Sequence, residues 1–173
     1  LQNHGIVLSK RLSILCAYIF TKGTFQSSTW SELSPAAYRK FHGTILSLYR
    51  HTIGCYHGSN KGDCINDSDI LFQHEIMSPE TMLRVARLSL FTRLVAKAPK
   101  PLLQLVFDLD QLKVGWPREV SRDFEWLKGD AAFGEVGHCD LQDWAAAIAG
   151  RGGKYFRNKV KKYAKFRYAN TYS

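Results

Sequence analysis

Residues 34–54, SPAAYRKFHGTILSLYRHTIG, decide the fold class. Ser34-Pro35 is a helix start, with serine as the N-cap and proline at the first helical position, where its missing N–H costs nothing. Tyr38, Phe41, Ile45, Leu48 and Thr52 then recur at spacings of three and four, which is one face of a helix. Arg39, Lys40 and Arg50 fall off that stripe, and Gly54 ends it. The same signal returns at Ser78-Pro79-Glu80, where the acid suits the positive end of the helix dipole. Met82, Val85, Ala86, Ser89 and Leu90 continue this second helix toward Val95.

Working outward, residues 6–21 carry Leu8, Leu12, Leu15 and Ile19 on one helical face, and Gly23 breaks the pattern. Residues 24–30 are the one stretch that fits extended backbone. Residues 57–69, HGSNKGDCINDSD, read as a loop from their Gly, Asn, Asp and Ser content. Pro99 and Pro101 separate the second helix from a short apolar one at Leu102 to Leu109. Trp116-Pro117 opens a segment with Val120, Phe124 and Leu127 in a stripe. Asp140 can cap a helix carrying Leu141, Trp144, Ala145 and Ile148. After a hinge at Gly150, Gly152 and Gly153, Phe156, Val160 and Tyr163 repeat among lysines. The expectation is an all-α fold, six or seven helices in an irregular bundle with a basic C-terminal helix or tail. A boundary at 110–116 and the glycine hinge at 150–153 divide it into segments 1–110, 111–150 and 151–173.

The charge is localised. The chain has 173 residues and a net charge of +9. Residues 151–173 hold Arg151, Lys154, Arg157, Lys159, Lys161, Lys162, Lys165 and Arg167 with no Asp or Glu, so eight of those charges sit there. A concentrated positive field points to a polyanion, nucleic acid before an acidic membrane surface. The apolar run from Leu12 to Phe20 is too short to span a bilayer. Cys16, Cys55, Cys64 and Cys139 form no CxxC pair, which favours reduced thiols in an intracellular setting, nuclear or cytoplasmic. The start at Leu-Gln-Asn, with no signal-peptide pattern, reads as part of something longer.

No Walker loop, GxSxG, HExxH or GxGxxG occurs. Asp108 and Asp110 stand two apart, so on a helix they diverge, and a solvated helix end is the expectation. Cys55, His57, Cys64 and His74 are the one group with metal-ligand atoms. A tetrahedral zinc site favours two tight pairs, and only Cys55-x-His57 is tight, so the group is a weak metal candidate. His138-Cys139 could join a site only through folding. No cofactor is implied. Arg84, Arg87 and Arg93 fall near one side of their helix, either as a phosphate track or as an ordinary solvated face. The tail interleaves Tyr155, Phe156, Tyr163, Phe166, Tyr168 and Tyr172 with its cations. Cations neutralise phosphates while rings stack on bases; in the competing reading, Phe156, Val160 and Tyr163 dock on the core and the lysines only solubilise.

Several of these fragments together resemble reverse transcriptases of non-LTR (LINE-type) retrotransposons, in the region after the catalytic palm. Lys10-Arg11 through Phe20, Phe25 to Trp30, Lys40, and Tyr49-Arg50 with Gly54 are similar to that family's helix, extended stretch ending in tryptophan, and second helix closing on R-x-x-x-G. Leu83-Arg84-Val85-Ala86-Arg87-Leu88, then Arg93 and Pro99, is similar to its L-R-x-x-R-L helix. Pro101-Leu102 to Val106, Trp116, and Phe124 to Leu127 look like the continuation. The chain departs from the family where Gln26-Ser27-Ser28-Thr29 precede Trp30 in place of tyrosine-glycine. It also shows no paired-aspartate palm motif and no downstream cysteine–histidine knuckle.

The resemblance implies a thumb and post-thumb region that grips a template–primer duplex of an RNA-directed DNA polymerase, without the palm and without a catalytic site of its own. Its partners would be RNA or an RNA–DNA duplex and an upstream palm domain. The residues expected to contact nucleic acid are Arg84, Arg87, Arg93, Lys154, Arg157, Lys161, Lys162, Lys165 and Arg167, with Tyr163 and Phe166 stacking. The alternative is a stand-alone helical interaction protein whose basic tail binds an acidic partner or a membrane surface, and a third is a small enzyme with an unfamiliar site.

Overall fold

The computed structural model describes residues 5–54, 66–128, 133 and 140–170, with the side chains of residues 19, 23 and 165–170 excepted. Among the described residues there are eight α-helices and no strand: α1 (Leu8–Ile14), α2 (Pro35–Ile53), α3 (Asp67–Gln73), α4 (Pro79–Lys97), α5 (Lys100–Gln111), α6 (Gly115–Leu127), α7 (Leu141–Arg151) and α8 (Gly153–Asn170). The all-α expectation holds.

The helix starts lie where local chemistry puts them. Ser34 Oγ accepts from Ala37 N at 3.2 Å and Ser78 Oγ from Thr81 N at 3.1 Å. Asp140 Oδ1 accepts from Gln142 N at 2.9 Å and Asp143 N at 3.0 Å. Each satisfies amide donors that no helix carbonyl can reach. Gly54 closes α2 at φ 92°, a conformation that favours glycine. Ser78→Ala should lower stability by about 1 kcal/mol, measured by urea denaturation, and an unchanged midpoint would show that the cap is idle.

Three expectations are corrected. Residues 24–30 are not extended: Thr24–Gln26 turn, Gln26 is left-handed at φ 61°, and Ser27–Thr29 form a 3-10 turn before extended backbone begins at Trp30. The loop read over 57–69 gives way to α3 from Asp67, which Arg50 fastens to α2 through Nε and Nη2 on Asp67 Oδ1 at 3.1 and 2.5 Å. Asp110 is buried, not solvated: its carboxylate accepts from Ser121 Oγ at 2.6 Å, while Asp108 stays exposed beside Gln104. Beyond Ile14, α1 runs on through a π-helical stretch, Leu15–Phe20, into Thr21–Gly23.

Two apolar cores result. The first gathers Leu15, Phe20, Ile45, Leu46, Tyr49, Ile70, Leu71 and Ile76, from α1 to α3. The second gathers Val85, Leu88 and Phe91 of α4 with Val106, Val120, Phe124, Leu127, Phe133, Trp144, Ile148, Phe156 and Val160 among others. At its centre Phe124 stacks on Trp144 at 4.4 Å and meets Phe91 edge-on at 5.5 Å. This core draws residues from both sides of positions 110 and 150. Helix α4 touches both cores, since Met82 in its first turn packs on the first. Trp116 Nε1 donates to Ser28 O at 2.6 Å, which ties the N-terminal turn to α6.

Candidate nucleic-acid interface

The last helix is built to be half core and half surface. Gly152 leaves α7 at φ 86°, and Gly153 starts α8 in close approach to α4. A Cβ at Gly153 would lie 3.1 Å from Thr92 Cγ2, so even an alanine would press on the neighbouring helix. From there Phe156, Val160, Tyr163 and Ala164 face inward and are buried, because their spacing of three and four keeps them on one side. Lys154, Tyr155, Asn158, Lys161 and Lys162 are exposed on the other, while Arg157 and Lys159 are half-buried.

Lys154, Asn158 and Lys161 follow at i, i+4 and i+7, one outward line along the helix, with Lys162 beside it. No Asp or Glu lies in residues 151–173, and among the described residues no acidic side chain forms a salt bridge with Lys154, Arg157, Lys161 or Lys162. The contact of Gly153 with Thr92 sets the start of this line beside α4, one residue from Arg93. Arg93 and Lys97 are also exposed. The face is cationic, has no ion pair among the described residues, and rides on a helix whose other side is packed into the second core. Tyr155, 50% exposed, lies within it, and Lys159 Nζ sits 5.6 Å from its ring centroid.

The three arginines of α4 do not form a track. Arg87 is only 7% exposed and its guanidinium is spent on Asp123, with Nε to Oδ2 at 2.7 Å and Nη2 to Oδ1 at 2.9 Å. Buried and neutralised by Asp123, the guanidinium is out of reach of a phosphate, so Arg87 is removed from the expected set. Arg84 is half-buried, hydrogen-bonded to Glu80, with its guanidinium 5.3 Å from the Trp126 ring centroid. Arg93, six residues from Arg87, points elsewhere and is exposed. Tyr163 is corrected as well: it is 6% exposed, and its hydroxyl donates to Trp126 O at 3.2 Å, so its ring offers no face to a base. The side chains of Lys165, Phe166 and Arg167 lie outside the described residues, as do Cys55, His57, Cys64, His138 and Cys139. His74, half-buried, follows the last turn of α3. Among the described residues no group of three or more metal-ligating side chains converges, and no helix is long and apolar enough to cross a membrane.

Tyr155 is among the interleaved aromatics of the tail, but the sequence singles out Tyr163 and Phe166 as the stacking pair. The signal for Tyr155 was there: it stands one residue off the buried stripe, where an aromatic ring must face solvent. Comparison with protein-family models, curated proteins and solved structures finds no match to this chain.

Proposed function

We propose that the chain holds nucleic acid, with the phosphate backbone lying along the outward face of α8. The observation that carries this reading is that face itself: Lys154, Lys161 and Lys162 exposed together, with no acid in residues 151–173, and Arg93 exposed on α4 next in sequence to the Thr92 that Gly153 approaches. Aqueous cations that lack a protein partner bind polyanions by releasing counterions, which needs no pocket and no base contacts. The setting of a thumb-like region of an RNA-directed DNA polymerase rests on the sequence resemblance alone, and within it the role of this chain is grip and not chemistry. The membrane alternative is weakened by the disposition of α8. An interfacial helix lays its apolar face into lipid, and here Phe156, Val160 and Tyr163 are already buried in the protein.

Fluorescence anisotropy with a labelled RNA strand and a labelled RNA–DNA duplex, across a series of KCl concentrations, tests the reading. If Lys154, Lys161, Lys162, Arg93 and Lys97 all engage, log affinity should fall against log salt with a slope of about −3.5 to −4.5. No binding at low salt, or binding indifferent to salt, would remove the proposal.

A further inference from the structure

Helix α2 carries more apolar surface than the first core covers: Phe41 and Leu48 pack on that core but stay only half-buried. Ile45, Leu46 and Tyr49 turn inward, whereas Phe41 and Leu48 lie toward the segment after Trp30. Between them opens a cleft of about 370 Å³, lined by Phe20, Trp30, Phe41, Ile45, Leu48 and Lys40 among others. That volume falls within the roughly 300–1,000 Å³ typical of small-molecule sites. The Trp30 and Phe41 rings meet edge-on at 5.8 Å, which fixes one wall.

The polar chemistry of the cleft has one sign. Lys40 is its single charged lining residue and forms no salt bridge among the described residues. The hydroxyl of Thr44 donates to Lys40 O at 2.8 Å, so its proton is spent on the helix. The indole N–H of Trp30 donates to no described residue. Apolar walls with an ammonium at the rim complement one kind of small molecule, an apolar body ending in a negative head.

The geometry points to this cleft as a binding site for an amphiphilic carboxylate, an aliphatic or aryl acid. Its body would lie on Phe20, Phe41, Ile45 and Leu48, and its head would meet Lys40. A cationic amphiphile of the same length would bring its head against the ammonium, and a short polar acid would leave the walls wet. The site is separate from the α8 face and stands or falls without it.

Calorimetric titration with octanoate, decanoate and dodecanoate, kept below micelle formation, tests this, with dodecyltrimethylammonium as the opposite-sign control. Binding should be one-site and about fourfold tighter for each added methylene until the cleft is full. The ammonium should bind at least about tenfold more weakly, as one lost charge contact of about 1.4 kcal/mol implies. Lys40→Glu should invert that preference. Ala37→Phe with Thr44→Phe, both at exposed positions on the lining, should abolish binding while the helical circular dichroism is kept. Tryptophan fluorescence should respond to dodecanoate in the native chain and not in Trp30→Phe. No saturable binding, equal affinity for both heads, affinity that survives the filled cleft, or a fluorescence response without Trp30 would each overturn the site.

Discussion

Arg87→Met should lower the unfolding free energy by about 3–5 kcal/mol, read as a fall in the urea midpoint with little change in slope. The pair with Asp123 is among the most buried polar contacts of the molecule, with Asp123 only 2% exposed. Removing the cation strands a carboxylate in the second core, and that stranding, more than any lost attraction, sets the size of the effect.

The pH dependence follows from Asp123. Burial pushes its carboxyl above the usual range, while the hydrogen bonds and charge of Arg87 pull it down. Without Arg87 the folded state holds the proton more tightly than the unfolded chain does. Stability from that proton is fully present below the unfolded pKa and is lost as pH rises through the folded value. The variant should therefore lie closer to the native protein near pH 4.5 than near pH 7.5. Adding Asp123→Leu should recover most of the loss, because an apolar pair has no charge to desolvate. A single variant within about 1 kcal/mol of native would show that water reaches the pair.

Reversing Lys154, Lys161 and Lys162 to glutamate should cost about a hundredfold in RNA affinity at 0.15 M salt and flatten the salt slope by two to three units. Each contact removed contributes about 0.7 to 0.9 to that slope, and three are removed at once. These side chains are exposed, so the fold should be unaffected by circular dichroism. The control reverses Lys10, Lys22 and Arg39, also exposed, and changes net charge equally. If both triples weaken binding alike, nucleic acid responds to overall charge, and the α8 face is not a site. Deleting residues 151–173 would be a poor substitute, because it strips Phe156, Val160, Tyr163 and Ala164 from the core along with the cations.

Much of the fold was legible because it is local. Ser34, Ser78 and Asp140 each cap with their own oxygen, and Gly54 closes its helix through its own backbone, so nearby residues suffice. The inward side of α4 was only partly legible. The residues that marked the helix were Met82, Val85, Ala86, Ser89 and Leu90, and of these Val85 is buried, together with Leu83, Leu88 and Phe91 and with the polar Arg87 and Thr92. Two polar residues on a buried face break the periodicity on which such readings depend. Thr92 is satisfied by Leu88 O at 2.7 Å, within its own helix, but Arg87 needs a partner 36 positions away on α6. The same blindness made Arg84, Arg87 and Arg93 look like one surface. In the tail the apolar stripe was read correctly and its meaning was not. Tyr163 belongs to the stripe and buries its ring, and the outward ring is Tyr155.

Helix α4 has one more consequence, through its membership of both cores. Neither half of the molecule can open fully without unseating a helix that the other half needs. Amide hydrogens in the middle of α4 should therefore exchange with solvent only when the whole chain unfolds, while those of α1, held at one end of one core, exchange through smaller openings. Urea unfolding of the chain should accordingly show one transition, coincident for both cores.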